Sequence, residues 1–300
     1  MSLIASSIRT DTTVQDFVEY YPNLTEADIE AAFLYENKVQ RLSRAIRNMN
    51  PDVLVLSEVN PDSVATDIKN QLSGYDVRIL SQTASQNIAI LFKNSVTVSN
   101  VQLIPGSDDG NQRLRRALAA RVKVGQFDFI LIGVHMKAGR PRNPQTNSRD
   151  PQRIRTRQAT AIANFIRQQT QGSERDVLLV GDYNMVPGQD AVNFRTMSPG
   201  PSNNEFLRYI SSQALSLSHI NDCGDGGEDE VEGRLLDGFA ISRVHTREFV
   251  AGSMRTINFN DASVFSSETG TPFTCTTYTG FISDHLPLVA RFRTNQDDDD

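Results

Sequence analysis

The sequence predicts an α/β protein built from two mixed β-sheets packed face to face, with helices on the outside. Three observations lead there. Strand-like segments outnumber helical ones; residues 53–56 and 177–180 are continuous apolar runs that require cover on both faces; and helical periodicity is confined to a few segments lying between strands. Sheets in the middle with helices outside satisfy all three. The 300 residues, 38% hydrophobic and 22% charged, suffice for a sizeable core and exclude collagen-like, disulfide-stapled and wholly disordered chains. The longest apolar runs, such as residues 129–134, fall far short of the roughly 20 residues that span a bilayer, so no transmembrane segment is expected. One domain is expected over residues 1–294, followed by an acidic tail, 295–300, disordered through self-repulsion.

Taken in order, residues 25–48 predict a helix. Val39, Leu42, Ile46 and Met49 recur at helical spacing behind a Thr25-Glu26-Ala27-Asp28 start that resembles a capping box. Asn50-Pro51 stops it. Residues 52–57 form a β-branched and leucine run, the pattern of a strand buried on both faces. Strands follow at 87–92, 96–104, 117–124 and 127–136, several joined by Gly or Asn turns. A helix over 153–168 carries Ala159, Ile162, Ala163 and Ile166 on one face. Then come a buried strand at 176–180, a helix at 205–213 and a strand at 235–242. In the last strand, 286–293, Leu286, Leu288, Ala290 and Phe292 alternate with Pro287, Val289, Arg291 and Arg293, as in a half-buried strand.

The net charge of −6 argues at first against a polyanionic partner, but its distribution matters more. Asp297 to Asp300 and six acids between Asp222 and Glu232 leave 30 bases against 26 acids elsewhere, a balance of +4. Cys223 and Cys275 stand outside any C-x-x-C or Cys/His zinc pattern; a disulfide and two free thiols are equally compatible with them. The N-terminus has no basic region followed by an apolar stretch and a cleavage site. The sequence names no compartment; a soluble protein fits it, as does a secreted or periplasmic one whose leader is not included.

Function is carried by where the acids, amides and histidines fall. Glu58 ends the strand 53–57, His135 ends 129–134, Asp182 and Asn184 end 177–181, Asp237 sits within 235–242, and Asp284-His285 precedes the last strand. Strand ends form the mouth of the cleft in α/β architectures. Taken singly, a strand-end acid is a turn or cap residue and a lone histidine a packing residue. Two of only four histidines at such ends, in company with these acids, make a joint pattern that chance does not readily supply.

The ordered set resembles the endonuclease/exonuclease/phosphatase superfamily, the group with the DNase I-like fold. It comprises the segment Asn50-Pro51-Asp52 to Glu58-Val59, Gly133-Val134-His135-Met136-Lys137, Gly181-Asp182-Tyr183-Asn184, Leu235-Leu236-Asp237-Gly238-Phe239 and Ser283-Asp284-His285-Leu286-Pro287-Leu288. The resemblance covers about residues 39–292. It implies a four-layer αββα sandwich and Mg²⁺-dependent hydrolysis of phosphodiester or phosphomonoester bonds, with Mn²⁺ or Ca²⁺ as alternative ions. Glu58 is implied as metal ligand and Asp284 as the second metal-proximal acid. His285 is implied as the base oriented by Asp237, the division of labour of an Asp–His pair. Asp182 and Asn184 are implied to orient the nucleophile and contact the phosphate, with Asp182 also able to touch the metal. His135 is implied to bond a phosphate oxygen or act as acid toward the leaving group.

Two segments support a phosphate-rich partner. Residues 113–123 hold five cations and no acid, and residues 137–157 hold seven cations against Asp150. Arg113, Arg116, Lys137 and Arg140 are candidate phosphate contacts, weighed against simple solvated faces. The second segment, rich in Arg, Pro, Asn and Gln, is expected to be a mobile loop over the substrate. Two departures from the family pattern stand out. Ser7 occupies the first-strand position where the family usually has asparagine, and Ser57 the position where glutamine commonly precedes the metal-binding glutamate. The expected function is therefore a nuclease-like phosphodiesterase with a phosphate-ester substrate, nucleic acid among the candidates. The alternatives are a phosphomonoesterase or inositol- or lipid-phosphate hydrolase of the same fold, or a binding protein whose catalysis has weakened. The absence of Trp and of an aromatic membrane-docking hairpin favours a diester in solution. The oligomeric state is left open.

Overall fold

Burial parity along the strands builds the architecture. In the computed structural model, Val53 and Val55 point to one apolar cluster while Leu54 and Leu56 point to another; Phe129 and Leu131 are likewise separated from Ile130 and Ile132. Successive side chains leave a strand on opposite faces. Strands apolar at every position must therefore be covered twice. The structure describes residues 2–7, 35–140, 142–143, 145–171, 175–186, 191–197, 207–210, 217–224, 231–242, 245–266 and 270–296.

In chain order the elements are β1 (Ser2–Ser7), α1 (Tyr35–Met49), β2 (Val53–Val59), α2 (Ser63–Asn70), β3 (Tyr75–Ile79), β4 (Asn87–Lys93), β5 (Thr97–Leu103), β6 (Leu118–Val124) and β7 (Phe127–His135). They continue with α3 (Pro151–Gln169), β8 (Val177–Asp182), α4 (Ala191–Thr196), β9 (Leu207–Ile210), β10 (His219–Asp222), β11 (Glu232–Arg234), β12 (Asp237–Ser242), β13 (Arg255–Thr256), α5 (Cys275–Phe281) and β14 (Leu288–Arg291). One six-stranded sheet runs β13-β14-β1-β2-β4-β3 and the other β5-β6-β7-β8-β12-β9, with β10 and β11 forming a small ribbon. Both large sheets are mixed: β1–β2 and β7–β8 pair parallel, their other pairs antiparallel.

The inner faces share one apolar cluster, with Val55, Ile90, Leu131, Val180, Phe239 and Leu288 among its members. The outer face of the first sheet packs on α1, α2 and α5, and that of the second on α3. The result is the expected α/β/β/α layering. At Gly133 the sheets approach so closely that an added Cβ would stand 2.9 Å from Ile88 and 3.0 Å from Val55.

Several expectations are adjusted. Residues 207–210, expected within a helix, form β9, which pairs antiparallel with β12 through Ile210 opposite Phe239 and Leu207 opposite Ser242. An open sheet edge offers backbone partners that outweigh local helical preference. The first helix is described from Tyr35; residues 25–34 of the expected helix and the acids 297–300 lie outside the described residues. The final strand is buried on both faces, since Val289 packs outward against the first outer cluster. Cys223 and Cys275 form a disulfide across 52 residues of chain.

Candidate active site

The site follows from parity carried one step past the core. On β7, Phe129 and Leu131 face inward, and so does His135 four residues on; on β8 the inward series is Leu178, Val180, Asp182; on β12 it is Ile241, Phe239, Asp237. Register aligns the three polar members, with His135 opposite Asp182 and Asp182 opposite Asp237. One row across three strands thus carries an imidazole and two carboxylates at the mouth between the sheets. All three are buried.

Glu58 joins this row from the other sheet through a backbone irregularity. By parity it belongs with Leu54 and Leu56 on the outer face. Instead, the β2–β4 register shifts between Leu56 and Val59, and Glu58 takes a φ of 58°. A bulge of this kind re-aims the side chain. Glu58 Oε1 comes to 3.6 Å from His135 Nε2, while Asp182 Oδ2 lies 3.5 Å from the same nitrogen. His135 stands between two carboxylates, with its Nδ1 buried and without a hydrogen-bond partner among the described residues. Burial, reinforced by Arg115, His285 and Lys137, holds His135 well below the ordinary histidine range, so the ring is neutral near pH 7.

Asp237 and His285 form the pair expected from the sequence. Asp237 Oδ2 lies 2.6 Å from His285 Nδ1, within a charge-assisted hydrogen bond. Ser218 steadies the acid's backbone, its Oγ accepting from the amides of Leu236 and Asp237 at 2.8 and 2.9 Å. Tyr278 Oη donates to the His285 carbonyl at 2.7 Å. Burial opposes the imidazolium, but the charge and hydrogen bond of Asp237, joined by Asp182 and Asp284, raise His285 to about 10. Burial first, and then the charge of Asp237, raise Asp182 to about 7.

Asn184 supports Asp182. Its backbone amide donates to Asp182 Oδ1 at 2.7 Å, and its side-chain Nδ2 donates to Asp182 Oδ2 at 2.8 Å and to the Met136 carbonyl at 3.1 Å. The Asn184 φ of 50° belongs to the tight turn that permits this. Asp284 is brought toward His219, 3.8 Å from its Nε2, and these two with His285 form a ligand-type cluster that does not include Glu58.

The basic residues divide differently from expectation. Arg116 pairs with Asp108 at 2.8 Å, and Arg113 lies exposed in a turn. Arg115 between them is the buried one: it donates to the His135 and Met136 carbonyls and to Gln86 Oε1, and its charge reaches Asp182 and Glu58. The run of cations marked the segment, but only tertiary burial singles out Arg115. Lys137 is half-buried beside the site, its amide held by Gln158 Oε1, and Arg140 is exposed.

The loop after β7 is anchored. Asp150 accepts from the amides of Arg142, Asn143 and Gln152, and the buried Arg155 donates to the carbonyls of Lys137 and Gly139. The expected mobile loop is therefore tied at both ends to α3.

Divalent-cation chemistry fits the donors. Glu58, Asp182 and Asp237 share a poorly solvated mouth, where burial first, and then the charges of Asp237 and Glu58, raise Asp182. A hard dication is held by one or two carboxylates with water completing its shell, a role open to Glu58.

No curated protein matches the chain in sequence. Among solved structures, D. rerio TDP2 humanised by 14 mutations is 16% identical with a TM-score of 0.66, the match covering 98% of this chain and 99% of that one. D. rerio TDP2 complexed with a single-strand DNA product is also 16% identical, with a TM-score of 0.63 and the same coverage. An endonuclease/exonuclease/phosphatase family protein from Bacteroides thetaiotaomicron is 12% identical, with a TM-score of 0.64, covering 99% of this chain and 96% of its own. At these identities the likeness carries the fold. The model of the Endonuclease/Exonuclease/phosphatase family matches residues 33–285, which spans every site segment from Glu58 to His285. The chain belongs to the Endonuclease/Exonuclease/phosphatase family and, at the level of that superfamily, is a metal-dependent phosphoesterase.

Proposed function

We propose that the chain is a Mg²⁺-dependent, nuclease-like phosphodiesterase whose hydrolytic groups are Asp182, Asp237, His285, Asn184 and His135. The observation that carries this reading is the Asp182–Asp237 row with His285 bonded to Asp237 at 2.6 Å. It supports a division of labour in which His285 is the cation and Asp182 the group that changes protonation near neutrality. Asp182 takes the proton of the attacking water while Asn184 fixes its carboxylate. His285, held by Asp237, offers Nε2–H to the phosphate oxygens. This exchanges the base role expected for His285 with Asp182. His135, neutral and lodged beside Glu58 and Asp182, is a donor toward the phosphate rather than a second cation. Glu58, with Asp284 as a further acid, would hold a divalent ion, which when bound would neutralise charge on the nonbridging and leaving oxygens.

Nucleic acid is the favoured substrate. The half-buried Lys137 acts by its charge on His135, Arg113 and Arg140 are exposed cations free to meet a polyanion, and the TDP2 structure of similar fold is complexed with a single-strand DNA product. One observation favours a second reading: Ser7 and Ser57 are register partners on β1 and β2, so serine occupies both family amide positions side by side, which fits a chain with weakened catalysis that still binds ligand. Hydrolysis of single-stranded DNA, duplex DNA, a generic aryl diester and a monoester with Mg²⁺, Mn²⁺ or Ca²⁺ separates these readings. The expected result is diester turnover that chelator, Asp182→Ala and His285→Ala each abolish. Turnover of monoesters alone would remove the diesterase reading, and undiminished activity in those variants would remove the residue roles.

A further inference from the structure

A third histidine at the mouth, His219, takes no part in the proposed hydrolysis. It enters the site through an antiparallel bridge to His285, flanked by Ile220 N–H to Asp284 carbonyl and Leu286 N–H to Ser218 carbonyl, both 2.8 Å. Those bonds make 219/285 a non-hydrogen-bonded pair, the geometry in which facing side chains stand closest. The two rings accordingly meet edge to face with centroids 4.7 Å apart. His219 Nε2 is 3.8 Å from Asp284 Oδ2, and one ligand atom from each of His219, Asp284 and His285 can be chosen so that all lie within 4.8 Å of one another.

We propose that His219, Asp284 and His285 form a second cation site, selective for a borderline transition ion such as Zn²⁺, whose occupation shuts down hydrolysis by capturing His285. Two imidazoles with one carboxylate suit Zn²⁺ and its neighbours, whereas an oxygen-only donor such as Glu58 suits Mg²⁺. A tetrahedral zinc shell places ligand atoms about 3.4 Å apart, so the side chains close by about an ångström on binding. The supporting shell is already built. Asp237 holds His285 Nδ1 at 2.6 Å, the carboxylate–histidine arrangement that orients a metal-binding ring; the incoming ion displaces the Nε2 proton to solvent and takes Nε2 as its ligand atom. The disulfide joins Cys223, next after β10, to Cys275 at the start of α5, and Tyr278 of that helix holds the His285 carbonyl. The side chains of His219 and Asp284 retain 20% and 28% exposure, which gives an ion a way in. A ligand set assembled by a strand bridge leaves no Cys/His spacing in the sequence.

The suppression rests on the proposed phosphodiesterase reading; the binding does not. The test uses the whole chain, stripped with chelator and dialysed. Calorimetric titration with Zn²⁺ in excess Mg²⁺, and with Co²⁺ followed by its visible absorption, should give one ion per chain. His219→Ala should weaken it at least tenfold, with His219→Gln as a second variant, and in the unsubstituted protein Zn²⁺ should shift the ring resonances of His219 and His285. Absence of stoichiometric binding in excess Mg²⁺, binding indifferent to both variants, or unmoved ring resonances would overturn the site. In the activity arm, Zn²⁺ should inhibit Mg²⁺-supported diester hydrolysis, and His219→Ala should keep its basal rate while needing at least tenfold more Zn²⁺ for inhibition. Equal sensitivity in the variant would overturn the capture of His285. If no diester is hydrolysed, the phosphodiesterase reading and the suppression fall together, while the calorimetry still decides the site.

Discussion

At the scale of single residues, the decisive feature is that neighbouring groups are pushed in opposite functional directions by one field. Asp182 rises to about 7 because burial and Asp237 both disfavour its charge, and His285 rises to about 10 because the same acids favour its own. Asp182→Asn should lower kcat by about 10²–10⁴-fold and flatten the limb on which activity rises with pH, measured as a kcat/KM profile. Stability carries the complementary sign. His285 titrates higher in the folded chain than in the unfolded one, so its contribution is complete below pH 6.5 and is lost as pH rises through about 10. Urea midpoints in chelator should fall across that window, and Asp237→Asn should reduce the fall. The same midpoints unchanged by Asp237→Asn would show that the pair does not hold the proton. Glu58, His135, Asp182, Asp237 and His285 were legible in the sequence as residue types at strand ends. Arg115 and His219 were not: the first is distinguished from Arg113 and Arg116 only by burial, and the second only by the strand it pairs with.

At the scale of elements, β7, β8 and β12 act as rulers. An apolar residue at every second inward position fixes which face the terminal polar residue shares, so His135, Asp182 and Asp237 align because their strands do. Gly181 is what lets β8 run this close to β7. Its φ is 126°, and an added Cβ would stand 2.2 Å from the Val134 carbonyl oxygen. Gly181→Ala is therefore expected to destabilise the fold by about 3 kcal/mol or more and to displace Asp182, read as a lowered denaturation midpoint together with lost activity. A midpoint within error of the parent would contradict the close approach. β2 obeys a different rule. Its apolar alternation places Glu58 on the outer face, and only the bulge returns that side chain to the cleft. Residues 207–210 make the same point for backbone: helical preference yields where a sheet edge supplies partners.

At the scale of the molecule, two sheets share an apolar interior and open into a polar mouth at one end, where both contribute side chains. The Cys223–Cys275 disulfide closes 52 residues that include β11 and β12, and so joins the ribbon to the helix packed on the first sheet. Chain-entropy reasoning gives such a loop about 4 kcal/mol. The double replacement Cys223→Ser with Cys275→Ser is expected to lose stability on that order in equilibrium denaturation, and reduction of the parent chain to match it. A loss below about 1 kcal/mol would place the link among those whose closure matters little.

The sequence by itself determined the class of fold, the inner strands and the identity of the acids and histidines at their ends, because side-chain period and apolar burial are local rules that each strand obeys alone. It also determined family membership, through motifs whose order is written in the chain. Tertiary structure alone decided that Glu58 turns inward, that burial and neighbouring acids raise both Asp182 and His285, that the cysteines are joined, and that His219 meets Asp284 and His285. Each of those depends on groups distant in sequence. Proton affinity in a buried mouth is a sum over charges from several elements, and a side chain's partners are set by strand register and bulges that no single segment encodes.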